Sequence, residues 1–184
     1  MNLRFLPNAL TVFRLLAVIP LVFLLLTGYF KEALILAFAA GVSDLVDGYL
    51  ARRFGWITHW GGVFDPLADK LLLVSSTVTL AYLGHLPWWL IGLIVIRDLI
   101  IVGGGFYYHY RIAPVKAAPT WLSKYNTLFL IVLVVVVLVR LSGFAVYPWI
   151  ETALVWAVTL TTIGSGIHYV WIWSIKARNA KTAD

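Results

Sequence analysis

The stretch SDLVDGYLARRFGWITHWGGVFDPLADK, residues 43–70, decides how this chain is read. It holds four of the eight acidic residues in the protein: Asp44, Asp47, Asp65 and Asp69. The chain around it is oil. Its 184 residues are 62% hydrophobic and 12% charged, with a mean hydropathy of +0.93. A soluble domain is near half apolar and a quarter charged. Packing in water cannot hide so much apolar surface, so the composition points to a bilayer as solvent.

A span needs about 20 apolar residues. Six are predicted: Leu10–Leu26, Ala33–Arg53, Gly61–Leu83, Pro87–Tyr108, Leu122–Val139 and Val146–Trp173. The first follows Arg4 but runs past a signal-peptide core and lacks a small-x-small cleavage site, so it is read as a retained helix. The expected fold class is all-α integral membrane, six transmembrane helices in a single domain over 1–184. An even number of spans puts both termini on one side. That side collects Arg4, Arg52, Arg53, Arg111, Lys116, Lys124, Lys176, Arg178 and Lys181. The other offers Lys31 and Arg140, next to Glu32 and Glu151. The positive-inside rule then places both termini in the cytoplasm, in a bacterial-type inner membrane. The net charge of +6 sits near helix ends, which suits anionic lipid headgroups; no groove or motif for nucleic acid accompanies it. The absence of cysteine excludes disulfides, a thiolate nucleophile and a zinc–thiolate site.

Asp44 and Asp47 are three apart and share a helix face, as do Asp65 and Asp69, four apart. The link between spans two and three is short, so the two acidic faces are expected to meet as antiparallel neighbours at the cytoplasmic side. Four converging carboxylates repel one another unless cations lie between them. Oxygen-only ligation favours Mg²⁺ or Mn²⁺, and two such ions form a clamp suited to phosphoryl chemistry. Gly48, Ala51 and Gly61 leave room for a phosphate, and Arg52 is placed to hold one by paired hydrogen bonds. The residues alone leave three readings open: a metal–phosphate enzyme, an ion-coupled membrane transporter, and a structural charge cluster tied to Arg52, Arg53 and Lys70. Aspartate-rich membrane prenyltransferases resemble the chain only at DPLAD (65–69).

The spacing over 44–69 reads D-x2-D-G-x2-A-R-x8-G-x3-D-x3-D. It resembles the motif of the CDP-alcohol phosphatidyltransferase family at all eight specified positions, and the chain's length and span count resemble the family too. The resemblance implies transfer of the phosphatidyl group of CDP-diacylglycerol to an alcohol, with release of CMP. It implies metal ligation by Asp44, Asp47 and Asp65, with Asp69 contributing to the metal site and acting as general base. Gly48, Ala51 and Arg52 match positions that contact the nucleotide and its diphosphate; Gly61 borders the same space. Asn8, Thr11 and Arg14 resemble the family's N-terminal segment, which lies against the nucleotide site. A homodimer is implied as well.

The segments PNALTVFRLLAVIP (7–20) and FDPLADK (64–70) resemble the branch of phosphatidylglycerophosphate synthases and cardiolipin synthases. Arg97-Asp98 stands where the glycerophosphate enzymes usually carry Arg-Glu. APTWLSKYNT (118–127) resembles the P-T-x-x-S-K-x-N-T of cardiolipin synthases. The expected acceptor is therefore phosphatidylglycerol, with glycerol 3-phosphate as the alternative. Arg97, Arg111 and Lys124 are candidate acceptor contacts, although Arg97 can equally pair with Asp98 and Lys124 can snorkel to the surface. His59, His85, His109 and His168 lack ligand spacing and read as packed or interfacial residues.

Overall fold

The computed structural model describes residues 6–54, 61–111 and 120–181, with side chains for 11–46, 53, 67–104, 120–172, 174 and 175. Six helices account for them: α1 (Leu6–Leu26), α2 (Phe30–Phe54), α3 (Gly61–Tyr82), α4 (Trp88–Arg111), α5 (Trp121–Leu141) and α6 (Pro148–Lys181). No strand occurs among the described residues. The helices overlie the six predicted apolar runs. The main difference is at α6, which continues past Trp173 through KARNAK. Hydropathy stops there, but lysine, alanine and arginine are good helix formers and nothing in that run breaks the backbone pattern.

Three helices end in one way. After α1 the backbone turns left-handed at Gly28 (φ 80°), where a side chain would clash with the following carbonyl. The Gly28 N–H reaches the Leu25 carbonyl at 3.2 Å, and the Tyr29 N–H reaches Leu24 at 2.9 Å. This is the Schellman arrangement, which satisfies carbonyls left open by the last helical turn. Gly84 after α3 and Gly143 after α5 repeat it. Sharp caps keep the links 27–29, 83–87 and 142–147 short.

The chain divides into two compact units. The first comprises Met1–Leu86 and Val134–Val146; the second comprises Pro87–Leu133 and Tyr147–Asp184. In the first unit α1 is the common neighbour, packing against both α2 and α3. Its buried stripe runs Thr11, Arg14, Ala17, Leu21, Leu25, in steps of three and four. The facing stripe on α2 is made of small residues, Ala33 and Ala40, which let the helices approach closely. On α3 the buried hydroxyls of Ser76, Thr77 and Thr79 bond carbonyls of their own helix, so they lie in the core without a lost hydrogen bond. In the second unit α4 packs on α6.

The outer face of α1 carries Val12, Phe13, Leu16, Ile19, Phe23 and Leu26, all between 43% and 72% exposed. α6 presents Trp156, Leu160, Ile163, Ile167, Val170 and Trp171 in the same way. Apolar faces of this extent are stable only against lipid or another apolar surface. By length and composition Trp121–Leu141 and Pro148–Ile172 can cross a membrane, and Thr11–Leu26 is a shorter apolar helix. The remaining helices hold the charges discussed below, which lowers their hydropathy.

Gly28→Ala should lower stability by about 1 kcal/mol, because it forces a Cβ into the left-handed region. Gly92→Ala is the contrast: Gly92 lies within α4 and an added Cβ meets nothing within 4 Å. It should leave stability unchanged or raise it by up to about 1 kcal/mol. Thermal unfolding of both variants in detergent checks the pair.

Candidate active site

The deep face of α1 turns polar toward its N-terminal end. Arg14 is 1% exposed, with the buried apolar stripe Ala17, Leu21 and Leu25 below it. A guanidinium cannot lie there without partners. Its Nη1 donates to Asp44 Oδ1 of α2 at 2.7 Å and to Asp69 Oδ1 of α3. Asp44 continues the small-residue stripe of α2, four residues after Ala40. Asp69 follows the fully buried Ala68 on α3. The local sequence thus places each carboxylate where α1 is packed.

Both carboxylate side chains remain 44% exposed, while the arginine beneath them is sealed. Two oxygen donors from separate helices therefore already meet at a cationic centre and keep an open side. The expectation that acids of α2 and α3 meet is realised for Asp44 and Asp69, and the meeting point is a residue of α1. That role of Arg14 was not among the predicted site assignments. Its signal was a lone arginine on the apolar stripe of a predicted span.

Other predicted residues fall outside what can be described. Asp47, Gly48, Ala51 and Arg52 lie on α2, Gly61 and Asp65 on α3, and Arg111 ends α4, but their side chains are not among the described ones. Among the described residues no three histidine, aspartate or glutamate side chains form a metal-holding group.

The second unit holds Arg97 and Lys124. Arg97 is drawn into a polar ladder between α4, α5 and α6. Its Nε donates to Ser165 Oγ at 3.1 Å, its Nη1 to Asp98 Oδ1 at 2.8 Å, and its Nη2 to Ser123 Oγ. One rung further, Asn126 Oδ1 accepts from Thr161 at 3.0 Å and from Thr162 at 2.7 Å. On the opposite side the Thr120 N–H donates to the Tyr169 hydroxyl at 3.1 Å. Thr120, Ser123 and Asn126 are spaced three apart at the start of α5; Thr120 and Asn126 bond α6 directly, and Ser123 is linked to Ser165 of α6 through Arg97 of α4. Thr120, Ser123 and Asn126 of APTWLSKYNT are thus helix-pairing residues, a role not expected from the sequence. Lys124 turns away from the ladder, with its Nζ 4.8 Å from the Trp121 ring centroid. The aliphatic stem of Arg97 lines a groove of about 450 Å³ with Leu93, Ile96, Ile163, Ile167 and Trp171. His85 meets Phe30 edge-on at 6.0 Å, a packing contact.

The described residues are all helical, and their exposed apolar faces suit lipid or another apolar surface. Residues 4–164 match the family model for CDP-alcohol phosphatidyltransferase, and the chain belongs to that family. A probable cardiolipin synthase (CMP-forming) of Drosophila melanogaster is 34% identical over 142 residues, 68% of this chain and 44% of the fly protein. A chloroplastic CDP-diacylglycerol–glycerol-3-phosphate 3-phosphatidyltransferase of Oryza sativa is 30% identical, across 89% of this chain and 55% of the rice protein. A probable phosphatidylglycerophosphate synthase of Mycobacterium tuberculosis is 34% identical, across 90% of this chain and 79% of that protein. The chain therefore spans about half the length of the fly and rice relatives.

Arg97→Met should lower stability by about 2–3 kcal/mol, since it strips one partner from a largely buried ion pair and two hydroxyls. Arg97→Lys should recover only part of that, because one ammonium cannot reproduce the planar fork. Denaturant unfolding of the detergent-solubilised variants measures both.

Proposed function

We propose that the chain is a divalent-metal-dependent phosphatidyltransferase of phospholipid biosynthesis, acting on CDP-diacylglycerol and a glycerol-type alcohol. The observation that carries this is the gathering of Asp44 and Asp69, two positions of the family's signature, at one cationic point with an open face. Family membership favours this reading over a transporter.

The donors fit a hard divalent ion in kind: both are carboxylate oxygens, and both keep an open side. Asp44, Asp47, Asp65 and Asp69 would hold two Mg²⁺ or Mn²⁺ ions. Such ions neutralise diphosphate charge and stabilise the departing CMP phosphate. Asp69 takes the proton of the acceptor hydroxyl. The hydroxyl oxygen bonds to the phosphatidyl phosphorus, the phosphoanhydride bond to CMP breaks, and CMP leaves with that bonding pair. Arg52 holds the diphosphate, and Gly48, Ala51 and Gly61 leave space beside it. Arg97, Arg111 and Lys124 are the candidates for acceptor contact. The engagement of Arg97 by Ser123, Ser165 and Asp98 favours a positioning role for it over a direct one.

The acceptor is phosphatidylglycerol, giving cardiolipin, a reading supported by Arg97-Asp98, by the APTWLSKYNT stretch and by the fly relative. The rice relative keeps glycerol 3-phosphate as the second reading. On this reading residues 1–184 act as one domain with six spans, both ends of it on the cytoplasmic side of a bacterial-type inner membrane, working as a homodimer among membrane lipids.

Purified protein with CDP-diacylglycerol and Mg²⁺ should release CMP faster with phosphatidylglycerol than with glycerol 3-phosphate, and not at all in excess EDTA. Faster release with glycerol 3-phosphate would reverse the acceptor assignment; no release with either would remove the transferase reading. Asp69→Asn should cut turnover by about 10²–10⁴-fold while the protein remains monodisperse in detergent. Turnover near the wild-type rate would rule out Asp69 as base.

A further inference from the structure

Arg14 is a full positive charge sealed at 1% exposure behind two carboxylates that remain 44% exposed. It lies on α1, while the carboxylates lie on α2 and α3. α1 packs against both of those helices, so the guanidinium is carried to the acids by the fold itself. Two acids so close repel each other when nothing positive lies between them. Arg14 supplies a compensating positive charge from within the fold. The same charge opposes a divalent cation that approaches from the open side, because like charges at a few ångströms repel.

We infer that Arg14 is a built-in counter-ion of the site: it holds Asp44 and Asp69 together and, by competing for their charge, sets how tightly metal binds. The inference rests on the metal-dependent reading proposed above. Arg14 is accordingly a positioning residue, acting through the two aspartates. Its position also explains why a buried charge is tolerated on α1: the ion pair makes it part of the site's electrostatics.

The test compares wild type, Arg14→Met, Arg14→Lys and Asp44→Asn in detergent at pH 8. Mn²⁺ affinity is read from the electron paramagnetic resonance of free Mn²⁺, and thermal unfolding is followed with and without Mn²⁺. Arg14→Met should unfold at lower temperature than wild type without metal, yet bind Mn²⁺ about tenfold more tightly and gain more from it in unfolding temperature. Arg14→Lys, which keeps the charge and loses the fork, should lie between them. Asp44→Asn should bind Mn²⁺ more weakly than wild type. A purely structural arginine predicts the opposite sign: its loss would loosen the ligands and weaken metal binding. Unchanged or weaker Mn²⁺ binding by Arg14→Met, with wild type binding normally, overturns the inference. Absence of Mn²⁺ binding by wild type overturns the metal-dependent reading and this inference with it. Should Arg14→Met fail to fold even in Mn²⁺, Arg14→Gln and Arg14→Lys decide by the same sign.

Discussion

The structure depends on one ion-pair arrangement. Arg14, buried on the apolar stripe of α1, bridges Asp44 on α2 and Asp69 on α3. Away from this point the first unit is held by Ala17, Leu21, Leu25, Ala33, Ala40 and Leu80, which pack without direction. Apolar packing fixes that the helices touch. Charge fixes their rotation and depth, because a buried guanidinium tolerates little displacement from its carboxylates. The small residues of α2 then make sense as more than filler. Large side chains in the place of Ala33 and Ala40 would hold α2 away from α1 and draw Asp44 out of reach.

The second unit solves the same problem with neutral groups. Its ladder of Thr120, Ser123 and Asn126 against Thr161, Thr162, Ser165 and Tyr169 pins the start of α5 to α6. Arg97 is the only charged rung named in that ladder, balanced by Asp98 beside it. Hydroxyls and amides specify pairing between helices whose surroundings give little preference for one rotation over another. Gly164 contributes by allowing α5 to come close, since a Cβ there would lie only 3.0 Å from Leu122 Cδ2.

Much of the fold was legible in the sequence, because apolar runs punctuated by glycine and charge leave few choices. The caps at Gly28, Gly84 and Gly143 lie close to the predicted ends of the first, third and fifth runs. The approach of Asp44 to Asp69 was legible too, from helical spacing and a short link. Arg14 as their partner was not. Periodicity assigns a residue to a face, but it does not tell which neighbour that face meets, and α1 packs against both α2 and α3. The ladder was hidden for a related reason. Thr120, Ser123 and Asn126 carry a three-residue spacing in plain view, yet spacing on one helix names no partner until the other helix is set beside it. Asp47, Asp65 and Arg52 stand on the sequence pattern, since their side chains lie outside the described ones.

The position of Arg14 on the earliest of the three helices bears on biogenesis. During synthesis α1 leaves the ribosome ahead of α2 and α3. An arginine within an apolar helix disfavours insertion by about 2.5–3.5 kcal/mol near the bilayer centre. On the proposed membrane arrangement, a newborn α1 is therefore an uneasy resident of lipid until α2 delivers Asp44 and α3 delivers Asp69. The nascent chain is drawn into a single order of assembly, in which each later hairpin relieves a debt left by the first.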